Sequence, residues 1–223
     1  MTAVAIDGPA GAGKSTIARA AAKELGYIYV DTGALYRAVA LYVLQKDVSP
    51  TDTVKVCALL KEISVSLEYE DGEQKVMLCG KDVSGLIRSA EVSMASSKVS
   101  AIPEVRSFLF SVQRDIARTH NVIMDGRDIG TVVLPNAQVK IFLTASAEVR
   151  ARRRYNEMIQ KGMKAEYGEV LKDLQQRDYN DVHRKVSPLK KAEGAVSVDT
   201  TGETLEQSVA RLTKIIKTGL QQK

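Results

Sequence analysis

An α/β fold is predicted, built on a parallel sheet with helices on both faces. Three observations predict it. Short apolar runs recur at residues 3–7, 27–30, 122–125, 139–143 and 195–199, several of them ending on Asp. Segments of helical periodicity separate them. The first run also passes through a glycine-rich turn straight into a helix, the opening of a βαβ unit.

Taken in order, residues 3–7 read as a buried strand. Residues 15–25 read as a helix, with Ile17, Ala18, Ala21, Ala22 and Leu25 on one side and Gly26 as its stop. A second strand at 27–30 ends at Asp31-Thr32-Gly33, and a helix follows from about 34 to 44. The rhythm then changes. Residues 63–69 and 75–79 alternate apolar and polar around Asp71-Gly72, which predicts a β-hairpin, and a hairpin inside an α/β chain marks an insertion over about 63–88. Helices are expected at 90–101 and 104–118, broken at Pro103. The strand at 122–125 closes on Gly126-Arg127-Asp128, and another follows at 139–143. Residues 147–161 form a helix dense in arginine (Arg150, Arg152, Arg153, Arg154) that Gly162 ends. A helix at 166–180, a strand at 195–199 and a helix at 203–218 complete the chain.

A chain of 223 residues fits one domain with a small subdomain, and 44% hydrophobic with 26% charged residues is ordinary for a soluble globular protein. No apolar stretch approaches the roughly 18 residues of a membrane span, and the short opening MTAVAID ends on a charge, so a cytoplasmic protein is expected. Cys57 and Cys79 lack any CxxC or metal-ligand spacing and read as small buried apolar residues; His120 and His183 read as surface or capping residues. The net charge of +5 fits either a mildly basic surface or arginines gathered on a polyanionic ligand.

The run Gly8-Pro9-Ala10-Gly11-Ala12-Gly13-Lys14-Ser15 matches G-x-x-x-x-G-K-[ST] in full, between a strand and a helix. Glycines let backbone N–H groups turn inward as an anion nest, and the helix start adds its positive dipole end. Lys14 supplies a point charge, and the Ser15 hydroxyl a ligand for Mg²⁺. The motif predicts a bound Mg²⁺–nucleoside triphosphate. It does not by itself separate GTPases, motor ATPases and small-molecule kinases. No Asn-Lys-x-Asp base-reading motif occurs, and the short chain with its insertion and arginine-rich helix favours a small-molecule kinase. A nucleic-acid-stimulated ATPase stays open on the basic charge alone.

Ligands of open α/β sheets bind beyond the carboxyl ends of the strands. Asp31 to Arg37 and Asp125 to Asp128 both lie at such ends, so Arg37 and Arg127 are candidates to clamp a phosphate-bearing acceptor.

The chain resembles the bacterial cytidylate kinases, of the nucleoside monophosphate kinase family. The matching pieces are GPAGAGKST at 8–16, DTGALYR at 31–37, DVSGLIR at 82–88, ASSKVSAIPEVR at 95–106, DGRDIGTVV at 125–133, KIFLTAS at 140–146 and RDYNDVHR at 177–184. The resemblance implies transfer of the ATP γ-phosphate to CMP or dCMP, with Mg²⁺, by a monomeric enzyme acting on free nucleotides with no nucleic-acid or membrane partner. It implies a five-stranded P-loop sheet ordered 2-3-1-4-5, a core over about 1–31, 120–146 and 185–223, a monophosphate-binding region over about 32–119, and a lid over about 147–165. It implies that Thr32, Tyr36 and Arg37 line the CMP pocket, that Ser97, Arg106 and Asp128 read cytosine, and that Arg127 approaches the CMP phosphate. Arg177, Asp181 and Arg184 would serve phosphate and ribose, with Asp181 on the ribose. Gly8 to Ser15 and Thr16 would hold ATP with Arg153, while Lys14, Arg127, Arg150 and Arg154 would act on the moving phosphoryl group.

Overall fold

The computed structural model describes residues 1–70, 73–160 and 162–221. Strands β1 (Ala3–Asp7), β2 (Ile28–Asp31), β6 (Val122–Gly126), β7 (Val139–Thr144) and β8 (Val196–Asp199) form one sheet in the order β2-β6-β1-β7-β8, all parallel. Counted among these strands alone, the order is the expected 2-3-1-4-5. The register sets Asp31 opposite Asp125 and Asp7 opposite Gly126, so the acidic strand ends share one edge.

Side chains alternate across the sheet. Val4 and Ile6 of β1 face α1 (Lys14–Leu25) and α8 (Leu205–Gln221), packing on Ile17, Ala21, Leu212 and Ile216. Ala5, Val30 and Met124 face the other way, toward Phe110 and Ile116 of α5 (Pro103–Thr119). The largest apolar cluster lies away from the sheet. There α2 (Thr32–Gln45), α4 (Ala90–Val99) and α5 close over the insertion through Leu35, Val39, Val76, Val99 and Leu109.

The insertion carries β3 (Val65–Glu70) and β4 (Glu73–Leu78) in antiparallel register; the expected Asp71-Gly72 turn lies outside the described residues. A two-residue β5 (Lys81–Asp82) makes it a three-stranded sheet. Cys79 and Gly80 turn between β4 and β5 at φ 49 and 75, and Cys79 is exposed there, not buried as its composition suggested. A short helix, α3 (Thr53–Leu59), has no counterpart in the sequence expectation: it buries only Val56 and rests on Asp52, whose side chain accepts from Lys55 N. Helix α2 starts before residue 34 because Asp31 caps it. The arginine-rich α6 (Ala147–Gln160) and α7 (Tyr167–His183) pack together beside the glycine-rich loop. No described helix is long and apolar enough to cross a membrane.

Candidate active site

The loop from β1 to α1 is shaped by its glycines. Gly8 has φ +152, and a Cβ there would sit 1.9 Å from the Leu143 carbonyl oxygen, so backbone packing demands glycine. Gly13, in left-handed conformation, precedes α1 with no side-chain cap, which leaves the first N–H groups of the helix for a ligand. Ala12 is buried in the core, whereas Ser15 and Thr16 are exposed on the first turn of α1. Lys14 folds back over the loop and donates to Pro9 O at 2.7 Å. Burial, then the Arg127 charge, pulls the Lys14 ammonium down to about 7, against the opposite pull of Asp125 and Asp181.

Arg150 is buried under this loop. Its Nε donates to Ala145 O (2.8 Å), its Nη1 to Ala10 O (2.9 Å), and its Nη2 pairs with Asp178 at 2.6 Å. With all its nitrogens engaged, Arg150 braces the loop and does not reach into the cleft. Arg153 binds Thr200 O at 2.9 Å at the loop's edge. Arg154 pairs with Glu157 at 3.0 Å and lies near enough to Arg177 to lower its pKa.

Ser15 Oγ donates to Asp125 Oδ2 at 3.0 Å, and Tyr29 OH donates to Asp125 Oδ1 at 2.8 Å. Burial, then the Asp31 carboxylate, raises Asp125 to about 6. Among the described residues no group of His, Cys, Asp or Glu could enclose a metal by itself. A hydroxyl beside one carboxylate suits a hard cation that keeps its waters and takes its other ligands from phosphates, as Mg²⁺ does. Sequence reasoning assigned Asp125 no role. Its signal was an Asp ending the strand beside the one that feeds the loop.

The acceptor side is a knot of arginines and aspartates. Arg106, 2% exposed, pairs with Asp128, donates to Ser100 O and Ser187 Oγ at 3.2 Å, and lies over the rings of Tyr36 and Phe110. Arg127 Nε donates to Asp181 Oδ2 at 2.7 Å. Arg184 sits 3.9 Å from both Asp128 and Asp181, and donates to Ser187 O. Arg37 pairs with Asp31 at 2.8 Å, and Thr32 Oγ1 donates to Asp125 O. Burial works against the Asp181 charge, yet Arg127 holds its carboxyl below the usual range. Arg37, Arg106, Arg127, Arg177 and Arg184 outnumber Asp31, Asp128 and Asp181. The Nε atoms of Arg37 and Arg177 and the Nη2 of Arg184 are buried without a hydrogen-bond partner. Burial, then Arg127, lowers Arg177 to about 10. Buried donors with surplus positive charge mark the seat of an anion. Ser97 is half-buried on α4, where its carbonyl accepts from Ser100 Oγ. The mutual influence of Lys14, Arg127 and Arg177 sets the loop and this pocket face to face.

A family model described as cytidylate kinase matches residues 4–218. The chain belongs to the cytidylate kinase family. A cytidylate kinase from Carboxydothermus hydrogenoformans is 52% identical over 213 residues, 96% of each chain. One from Caldanaerobacter subterraneus is 52% identical over 214 residues, 96% of this chain and 94% of the relative. A solved shikimate kinase from Bacteroides thetaiotaomicron, 15% identical, covers 97% of this chain and 98% of its own at a TM-score of 0.50, which places the chain in the P-loop kinase fold. In this member of the cytidylate kinase family, the strand-end clusters at 31–37 and 125–128 lie side by side at the carboxyl edge of the sheet, next to the strand that feeds the glycine-rich loop.

Proposed function

We propose that the chain transfers the γ-phosphate of ATP to CMP or dCMP, giving ADP and CDP or dCDP, as a cytoplasmic monomer acting on free nucleotides without a nucleic-acid or membrane partner. One observation carries this beyond family membership: buried donor atoms without a hydrogen-bond partner, Nε of Arg37 and Arg177 and Nη2 of Arg184, gather on the acceptor side, where Arg177 is near enough to act on the Lys14 charge. These arginines turn their donors inward, which supports a small polyanionic acceptor over a nucleic-acid face.

Gly8 to Thr16 would hold the triphosphate, with Arg153 at the edge of the loop. Lys14 would leave Pro9 O for the phosphates, a swap of one acceptor for a charged one. Ser15, with Asp125 behind it, would hold Mg²⁺, which would supply charge neutralisation to the phosphates. Arg37, Arg127 and Arg177 would clamp the CMP phosphate, an anion near neutral pH that needs no general base. Arg127 and Arg154 would take up charge on the moving group. Thr32 and Tyr36 would line the pocket, and Asp181 with Arg184 would meet the ribose.

Asp128 and Arg106 would read the base with Ser97. Asp128 Oδ2 is taken by Arg106, while among the described residues Oδ1 has only Arg184 at 3.9 Å and would keep lone pairs for the cytosine amino group. Uracil would present a carbonyl there and meet repulsion. Arg106 has N–H groups beyond those it uses on Ser100, Ser187 and Asp128 for the ring acceptors. On this reading 1–31, 120–146 and 185–223 would be the core, 32–119 the monophosphate-binding region, and 147–165 a lid that would close to exclude water.

Incubation with Mg·ATP and CMP tests the transfer. ADP and CDP are expected to appear in equal amounts, ADP by a coupled assay and CDP by chromatography. ADP without CDP would mean hydrolysis and sink the proposal.

A further inference from the structure

The insertion sheet touches the parallel sheet at a point that bears on the acceptor pocket. β2 is an outer strand, paired with β6 on one side only. At its last residue, Asp31 N donates to Gln74 Oε1 at 2.8 Å, and Gln74 Nε2 lies 3.5 Å from Asp31 O. Gln74 belongs to β4 of the insertion, opposite Tyr69 of β3. Its carboxamide offers Asp31 the acceptor and donor that a neighbouring strand would offer.

The Asp31 side chain turns toward the pocket. Its Oδ1 accepts from Ala34 N at 3.0 Å and caps α2, and its Oδ2 accepts from Arg37 Nη2 at 2.8 Å. Backbone and carboxylate of this one residue thus join the insertion, the first turn of α2 and an arginine of the pocket. Apolar packing of Val76 and Leu78 also attaches the insertion to α2, but such contact carries no direction. The Gln74–Asp31 pair does, because hydrogen bonds weaken steeply when misaligned.

We propose that Gln74 is a positioning residue of the acceptor site: it clamps the Asp31 peptide, and Asp31 aims Arg37 at the acceptor phosphate, so that the insertion sets acceptor affinity. This rests on the CMP kinase reading above. Gln74 touches no substrate. Its influence runs through Asp31 to Arg37 and leaves the triphosphate loop unchanged.

The test is Gln74→Ala, alone and with Arg37→Lys. The single variant is expected to raise KM for CMP, and the calorimetric Kd for CMP, by about tenfold, as for one well-placed hydrogen bond. KM for ATP should stay at the wild-type value, and the melting temperature should fall by only about 2–4 °C, as for one lost hydrogen bond. In the Arg37→Lys background, where the guanidinium fork is already gone, Gln74→Ala should add little further loss, because both changes act through one contact. An unchanged CMP affinity, an equal rise in KM for ATP, or fully additive losses would each overturn the proposal. The wild type is assayed first for CDP; its absence would remove the acceptor assignment itself, an outcome distinct from a silent Gln74.

Discussion

Arg106 of α5 and Asp128, two residues beyond β6, form an ion pair sealed from solvent, with side-chain exposures of 2% and 6%. Removing one partner of such a pair leaves a buried charge uncompensated, which costs about 3–5 kcal/mol. Arg106→Met is therefore expected to lower unfolding stability by about that much, measured by urea denaturation. Arg106→Met with Asp128→Leu should recover most of the loss, while CMP binding stays lost in both.

Arg177 behaves in the opposite sense. Burial, then Arg127, disfavours its charged form, and its Nε has no hydrogen-bond partner. Arg177→Met should leave the free protein as stable or more so, since burial and Arg127 outweigh the pull of Asp181 on its charge. It should weaken CMP binding about 10- to 100-fold, the scale of a lost charge-assisted contact. Thermal melts and CMP titrations of the same variant check both halves.

Tyr29 holds one oxygen of Asp125 while Ser15 faces the other. Outer partners of this kind typically contribute about 10- to 100-fold to metal affinity. Asp125→Asn is expected to raise the Mg²⁺ concentration needed for half-maximal ADP binding by at least that lower figure, and Tyr29→Phe by less. Calorimetric titration of Mg·ADP reads this without turnover. KM for CMP should hardly change.

The lowered pKa of Lys14 has a definite sign. The folded value of about 7 lies below the ordinary lysine value of 10.5, so above about pH 7 the native protein binds fewer protons than the unfolded chain. The contribution of Lys14 to stability therefore rises with pH from about 7 to about 10, and its charge in the free enzyme falls over the same window. Because kcat/KM reports the free enzyme, kcat/KM for ATP should decline above about pH 7, while kcat stays flat once polyphosphate restores the proton. A rate profile in ATP checks this, and a flat kcat/KM would contradict it. Lys14→Ala should nearly abolish transfer with the fold intact.

Much of this architecture was legible in the sequence. Apolar runs gave the strands, and the glycine spacing located the loop, because Gly8 and Gly13 adopt conformations that side chains resist. The wiring of the pocket was not legible. An arginine on a helix looks the same whether solvated or buried, so nothing local shows that Arg106 would bury against Asp128 or that Arg150 would brace Ala10. Gln74 and Asp31 meet across 43 positions, a pairing only tertiary structure creates. Helix α3 escaped notice because a seven-residue helix burying a single Val56 has no periodicity to detect.

The pocket around Asp128 and the arginines is expected to accept a cytosine monophosphate. The most direct measurement is kcat/KM for ADP release with CMP, dCMP, UMP, AMP and shikimate as acceptors, in the wild type and in Asp128→Ala. CMP and dCMP are expected to lead in the wild type, and Asp128→Ala to erase most of the margin over UMP while sparing KM for ATP. UMP, AMP or shikimate outpacing CMP in the wild type would contradict the account.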